Sequence, residues 1–475
     1  MSSIRTMLSR RTFLRRSLVA AAGGAGFFIA PQSLSLLNAA WAQQTPRGDD
    51  YKALVCVFLL GGNDGYNLVV PRSTAEYAVY ADRRRGLTIP SAQLLPIEPL
   101  SGATHALGLH PALGEMRDLF QQRRLSVLAN VGALLEPVSR SAYDNRSARL
   151  PPQLFSHNDQ QDFWQTLEAR SPVDSTPMSG WAGRAADLLH AGYNPDATIA
   201  MNLSLAGANP FLAGRASQAL AVGTGAISSL VTEHDDDAAL RLEALLAQSH
   251  PNLLVEQYRR TLQGAVGDYR TLQSALADAS PLATAFPPPP AEGAPAADRF
   301  AFVLGSQLRR AAELISLRQT FGHRRQIFFT ALGGFDTHDS QSRDQPELLA
   351  GLSRALGAFH AATVELGVES EVTTFTSSEF GRSLTSNGDG SDHAWGNHLF
   401  VFGGAVDGGR IVGEMPDLSA ASPVIAGDGN LIPQISVDQY GATLARWFGV
   451  QDETALDVLF PSLANFDTRD LGFML

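Results

Sequence analysis

The chain has 475 residues, 44% hydrophobic and 17% charged, with 43 Gly and 26 Pro, which excludes a disordered polymer and allows a full core in one large or two ordinary domains. A formal net charge of −11 argues against a phosphate-backbone partner, so no nucleic acid is expected. The single cysteine, Cys56, excludes an intrachain disulfide and, within the apolar run ALVCVFLL, reads as a small core residue.

The first 42 residues read as an export signal. Ser9-Arg10-Arg11-Thr12-Phe13-Leu14 is a twin-arginine pattern, SLVAAAGGAGFFIA follows it, and Ala40-Trp41-Ala42 offers a small-x-small cleavage site. That apolar stretch is short and rich in Gly and Ala, below what a spanning helix needs. The expectation is cleavage after Ala42, a periplasmic or secreted product, and the twin-arginine translocase as a partner during export. The leader holds five arginines and no acid, so the remainder is more acidic still.

After a polar linker, ALVCVFLL is apolar on both faces, as a central parallel strand is. It ends in Gly61-Gly62-Asn63-Asp64-Gly65, a tight turn that sets Asp64 at the strand's C-terminal end. His110-Pro111 opens a helix through about Gln122, and LSVLANV (Leu125 to Val131) follows as a buried strand. Phe155-Ser156-His157-Asn158-Asp159 then precedes the helix-like DFWQTLEAR. Ser156 there either caps the helix or offers an oxygen beside its free N–H groups. Gly180-Trp181-Ala182-Gly183-Arg184 opens another helix, and ATIAMNLS (Ala197 to Ser204) reads as a strand. Residues from about 235 to 320 read as a helical insertion interrupted by PLATAFPPPPAEGAPAAD, whose Pro run is a rigid connector. QIFFTAL (Gln326 to Leu332) resumes the sheet and ends in Gly333-Gly334-Phe335-Asp336-Thr337-His338. A helix from about Gln345 to Leu366 leads to the strand EVTTFT, HLFVFGG (His398 to Gly404) is a late strand, and Val437-Asp438-Gln439-Tyr440 starts a closing helix. Alternating strands and helices imply an α/β fold with a doubly wound, mostly parallel sheet.

Chemistry concentrates in Thr376 to His398, TSSEFGRSLTSNGDGSDHAWGNH. A strand delivers Glu379 and Arg382, a Gly/Asn/Asp loop follows, and Asp392-His393 and His398 come next. Open α/β sheets collect such groups at the C-terminal ends of their strands. Three predicted strands thus end in carboxylates, Asp64, Asp336 and Glu379, with His338, His393 and His398 beside the last two. Mixed carboxylate and imidazole donors suit Zn²⁺ or Mn²⁺, with Fe a further choice, more than Mg²⁺ or Ca²⁺. Asp336 and His338 are two apart on an extended segment, so both face one pocket only if the chain bends there. His105, His190, His234, His250, His323 and His360 lack a ligand-spaced partner. Trp164, Trp181 and Trp447 read as core, whereas Trp395, between His393 and His398, is placed to line a pocket mouth.

The twin-arginine leader, FLLGGNDGYN, LFSHNDQQDFW, GWAGR, GGFDTH and SEFGRS…GSDHAWGNH together resemble the domain-of-unknown-function 1501 family over almost all of the chain after the leader. That family is grouped with the alkaline phosphatase and sulfatase superfamily, so the resemblance implies an alkaline phosphatase-like sheet with one or two divalent ions. It implies Asp336, His338 and His393 (or His398) at one ion, Asp64 and Glu379 at a second, and Ser156 as nucleophile. Arg382 or Arg184 would bind the non-transferred oxygens of a small anionic phosphate or sulfate ester, and His157 would protonate the leaving group. The chain departs from the superfamily pattern in having Glu379-Phe380 where Asp-His is usual, and no sulfatase-type Cys-x-Pro-x-Arg. The implied function is an exported metal-dependent ester hydrolase. The alternative is a non-catalytic exported binding or assembly protein, with a co-encoded exported protein as its partner.

Overall fold

Strand β1 (Lys52–Leu60) lies inside a nine-stranded sheet, and its composition explains why. Eight consecutive apolar side chains can be buried only where both faces of a strand are covered. The computed structural model describes residues 50–100, 106–169, 178–225, 236–427 and 429–475. The chain divides into two units, Met1–Gln44 and Thr45–Leu475, and the expected leader with its cleavage site lies outside the described residues.

The other strands of the main sheet and of the site hairpin are β2 (Leu125–Gly132), β3 (Asn202–Ser204), β4 (Leu220–Ala221), β5 (Arg325–Gly333), β6 (Val372–Ser377), β7 (Arg382–Ser386), β8 (Ser391–His393), β9 (Asn397–Phe402), β10 (Ile411–Val412) and β11 (Ile435–Ser436). The main sheet has the order β10-β2-β9-β6-β1-β5-β3-β4, with β11 paired to β2, while β7 and β8 form a separate hairpin. Strand β1 is parallel to both neighbours, Cys56 lying opposite Phe329 on one side and Phe375 on the other. Only β9 is reversed, running antiparallel to β2 and β6. Strands β1, β5 and β6 therefore end at one edge of the sheet. This is the expected α/β architecture.

Helices cover both faces. From β1, Val55, Val57 and Leu59 pack into a layer with Met116 of α2 (Gly114–Gln121), Leu304 and Leu308 of α7 (Ala296–Ser316), and Leu352 and Leu356 of α8 (Gln341–Glu365). Cys56 and Phe58 face the other way, toward Trp181 of α4 (Trp181–Tyr193) and Tyr440 of α9 (Val437–Phe448). Each large apolar side chain buried in these layers contributes roughly 1.5–3 kcal/mol relative to exposure. The remaining helices that concern the site are α1 (Thr74–Arg84) and α3 (His157–Thr166).

Two elements differ from expectation. The segment read as a strand over Ala197 to Ser204 is a strand only over Asn202–Ser204. The expected insertion holds α5 (Asp236–Leu246) and α6 (Leu253–Ala277), of which α6 buries only Leu272 and Ala275. Helix α7, by contrast, buries a full apolar face against the sheet and belongs to its covering layer. Among the described residues no helix is long and apolar enough to cross a membrane.

Candidate metal centre

The loops that leave β1 and β5 touch, and glycine makes the contact possible. Gly61 has φ +118°, and a Cβ on it would lie 2.3 Å from the Asp336 amide nitrogen. Past β5 the backbone bends at once: Thr337 N–H donates to Phe335 O at 2.9 Å and His338 N–H to Asp336 O at 3.1 Å. The chain thus bends through two successive i→i+2 turns, although residues two apart share a face even of an extended segment. The β7–β8 hairpin, in which Arg382 pairs with His393, carries His393 to the same place, and His157 arrives as the first residue of α3.

Three imidazoles converge there on one oxygen. Asp336 Oδ1 lies 3.4 Å from His157 Nε2, 3.2 Å from His338 Nε2 and 3.4 Å from His393 Nε2. Each ring's other nitrogen has its own acceptor: Glu379 Oε1 at 2.9 Å from His157 Nδ1, Asp392 Oδ1 at 3.2 Å from His338 Nδ1, and the Phe155 carbonyl at 2.7 Å from His393 Nδ1. A carbonyl or carboxylate can only accept, so each Nδ1 carries a proton, and a ring that is neutral turns its Nε2 lone pair inward. The Phe380 ring lies beside His157 and His393, at centroid separations of 4.8 and 4.6 Å.

This donor set fits a small divalent ion. Among the described residues, His157, Asp336 and His393 form a group whose ligand atoms lie within 4.8 Å of one another. Four donors on bonds of 2.0–2.1 Å around a tetrahedral ion are about 3.3 Å apart; the three contacts to Asp336 Oδ1 are near that length, while His338 Nε2 and His393 Nε2 stand closer. His157 Nε2 is buried without a hydrogen-bond partner, as a lone pair awaiting an ion would be. His338 Nε2 and His393 Nε2 are 2.8 Å apart, so without an ion a proton must sit between them. Oxygen and imidazole donors together suit Zn²⁺ or Mn²⁺.

The surroundings tune the charged groups. The hydrogen bond to Glu379 holds the His157 pKa above the usual imidazole range against desolvation. Burial pushes the Asp336 carboxyl up, but the Arg382 hydrogen bond and charge outweigh it and hold it below the ordinary range. Burial pulls the His393 pKa down.

The other expected site residues do not join this donor set, though some stand directly beside it. Asp64, buried at the end of β1, is paired with Arg84 of α1 and bonded to Gln341 of α8, while its other oxygen accepts the Tyr66 amide at 3.1 Å. It is thus held in a buried ion pair. His398 is buried too; its Nδ1 accepts the Asn130 amide at 3.0 Å and burial lowers its pKa to about 4. Glu379 stands behind His157 with its side chain fully buried. Ser156 is the N-cap of α3: it accepts from the Asp159 amide, and its hydroxyl donates to Asp159 Oδ2 at 2.5 Å. Arg382 is buried and spends its donors on Asp336 and on the carbonyls of Gly61, Gly62, Phe335 and Ser391. Arg184 likewise bonds the carbonyls of Ser179, Thr166 and Leu459. Trp395 is core, its indole N–H donating to the Ala133 carbonyl at 2.7 Å. The partners of Asp64 and Glu379 had no sequence signal; Arg84, for one, is the middle of three consecutive arginines, which read as solvated surface.

A polar cleft of about 400 Å³ opens beside His393, lined also by Ser383, Thr385, Asn387, Asp392 and Asn430 and, among the described residues, by no lysine or arginine.

No curated protein matches the chain. Among solved structures, Ps i-CgsB in complex with k-i-k-neocarrahexaose is similar at 9% identity and a TM-score of 0.34, over 89% of this chain and 78% of that one. The PsFucS1 sulfatase from Pseudoalteromonas sp. is similar at 10% identity and a TM-score of 0.38, over 93% of this chain and 76% of that one. Likenesses this distant assign neither residues nor chemistry. Residues 51–428 match the family model described as "Protein of unknown function (DUF1501)", and the chain therefore belongs to that family.

Proposed function

We propose that His157, Asp336, His338 and His393 hold one divalent ion, Zn²⁺ or Mn²⁺ first, and that the protein is an exported metal-dependent hydrolase of phosphate or sulfate esters. The observation that carries the ion is the convergence of three imidazole Nε2 atoms, each with its Nδ1 already committed, on Asp336 Oδ1. When bound, such an ion polarises an ester oxygen as a Lewis acid. The ester class rests on the motif resemblance set out above. Arg382 orients the Asp336 carboxylate and ties the ends of β1, β5 and β8 together. Ser156 stands one residue from His157, and Asp159 is placed to take its proton. His157, committed on both nitrogens, serves as a donor to the ion and not as the leaving-group acid.

The second reading, a non-catalytic exported binding or assembly protein with a co-encoded partner, draws on a specific observation. Both arginines expected to hold ester oxygens are buried and engaged with backbone carbonyls, and the Ser156 hydroxyl caps a helix.

Elemental analysis of the exported protein, wild type beside Asp336→Ala/His338→Ala, is the test. One equivalent of Zn or Mn, lost in the double variant, is expected, on a chain beginning at Gln43. Absence of metal from folded wild type defeats the hydrolase; bound metal without turnover in a phosphate and sulfate ester screen selects the second reading.

A further inference from the structure

We infer that Glu379 is the positioning residue of this centre: from outside the ligand set, its carboxylate orients His157 and governs how tightly the ion is held. The inference rests on the ion-binding reading above and deepens it.

Glu379 follows β6 by two residues, and its side chain is fully buried. A buried carboxylate must find hydrogen-bond donors. Its Oε1 has three: the Gly61 amide at 2.8 Å, Gln161 Nε2 at 2.9 Å and His157 Nδ1 at 2.9 Å. Three donors exhaust that oxygen, while Oε2 lies 3.4 Å from the Ser378 hydroxyl, whose proton goes to the Leu59 carbonyl at 2.8 Å. Oε1, the oxygen that faces His157, is therefore not left to ligate. What the carboxylate does instead is fix the His157 tautomer and ring plane, and its charge raises the basicity of Nε2.

The other two imidazoles are backed differently. Behind His338 stands Asp392, whose side chain is 63% exposed and shared with Asn387. Behind His393 stands a neutral carbonyl. Water screens Asp392 but not Glu379, so the buried charge has the larger effect on its imidazole. A ranking follows that a merely structural role for Glu379 does not produce.

The experiment measures Zn²⁺ affinity by competition with a chromophoric chelator, and the visible spectrum of the Co²⁺-loaded protein. Wild type, Glu379→Gln and Asp392→Asn are compared after circular dichroism has established that each is folded. Glu379→Gln keeps an oxygen that can accept from His157 but removes the charge. Its Zn²⁺ affinity is expected to fall about 10–100-fold, more than that of Asp392→Asn. At saturating Co²⁺ it still takes up one equivalent with the wild-type coordination number and a shifted absorption band. Equal affinities for Glu379→Gln and wild type, or a larger loss in Asp392→Asn, overturn the inference while the ion-binding reading stands. A changed coordination number at saturation overturns it too, because Glu379 is then a ligand. Wild type that binds neither Zn²⁺ nor Co²⁺ overturns both. If the amide variant does not fold, Glu379→Asp, which keeps the charge but withdraws it from His157, is held to the same ranking.

Discussion

Ser156 shows how one residue can satisfy a structural rule and still stand beside the chemistry. Its side chain accepts from the Asp159 amide at the start of α3, the usual duty of a serine in that position, and the chain on either side of it supplies the Phe155 carbonyl and the His157 ring. Ser156→Ala is expected to lower stability by about 1 kcal/mol through the lost cap, read by urea denaturation, with the metal content unchanged. Should the variant retain full ester turnover, Ser156 is a cap and not a nucleophile. The cap itself was legible, because serine before a helical segment has few other uses. The fate of Asp64 was not. Its position at the end of β1 followed from the apolar run before it, but its partners Arg84 and Gln341 come from two helices that the turn alone does not predict.

Among the elements, the strand ends decide whether the donors meet. Strands β1, β5 and β6 run parallel, and the loop after β1 lies against the loop after β5 at Gly61. Gly61→Ala puts a methyl group against the Asp336 amide and places a non-glycine residue at φ +118°. The expected cost is about 1–3 kcal/mol, together with weaker Zn²⁺ binding because Asp336 is displaced from the imidazoles. Chelator competition and urea denaturation on the same sample check both effects, and unchanged Zn²⁺ affinity in the destabilised variant means that the Gly61 contact does not set the Asp336 geometry. The strands themselves were readable because runs such as ALVCVFLL and QIFFTAL are apolar on both faces. The β7–β8 hairpin was not, since SNGDG between its arms reads as an open loop; its pairing places Arg382 opposite His393.

For the whole molecule, burial of histidines predicts a pH response. His110, His323 and His398 are each pulled by desolvation from 6.5 to about 4. The unfolded chain therefore takes up protons below pH 6.5 that the folded chain refuses until about pH 4. Their stabilising effect is fully present above 6.5 and is lost as pH falls toward 4, at up to about 1.4 kcal/mol per unit for each group. Asp438, raised by burial from 3.8 to about 7, works the other way and binds its proton first in the folded state. Three groups against one leave the acidic side less stable. Chelator-treated protein is expected to show a lower urea midpoint at pH 5 than at pH 7, and an equal or higher midpoint at pH 5 counts against the burial of these histidines.

The sequence by itself determined the α/β class, the central strand and the stretch of chain where carboxylates and imidazoles concentrate. Hydrophobic periodicity and strand-end turns are local, and local pattern is what a sequence displays. Only the tertiary structure decided which of those groups meet. It brought His157, His338 and His393 around Asp336, put Glu379 behind His157, and paired Asp64 with Arg84. The physical reason is that a buried charge is governed by whichever partner the packing brings within about 3 Å, and the packing here joins residues more than two hundred positions apart.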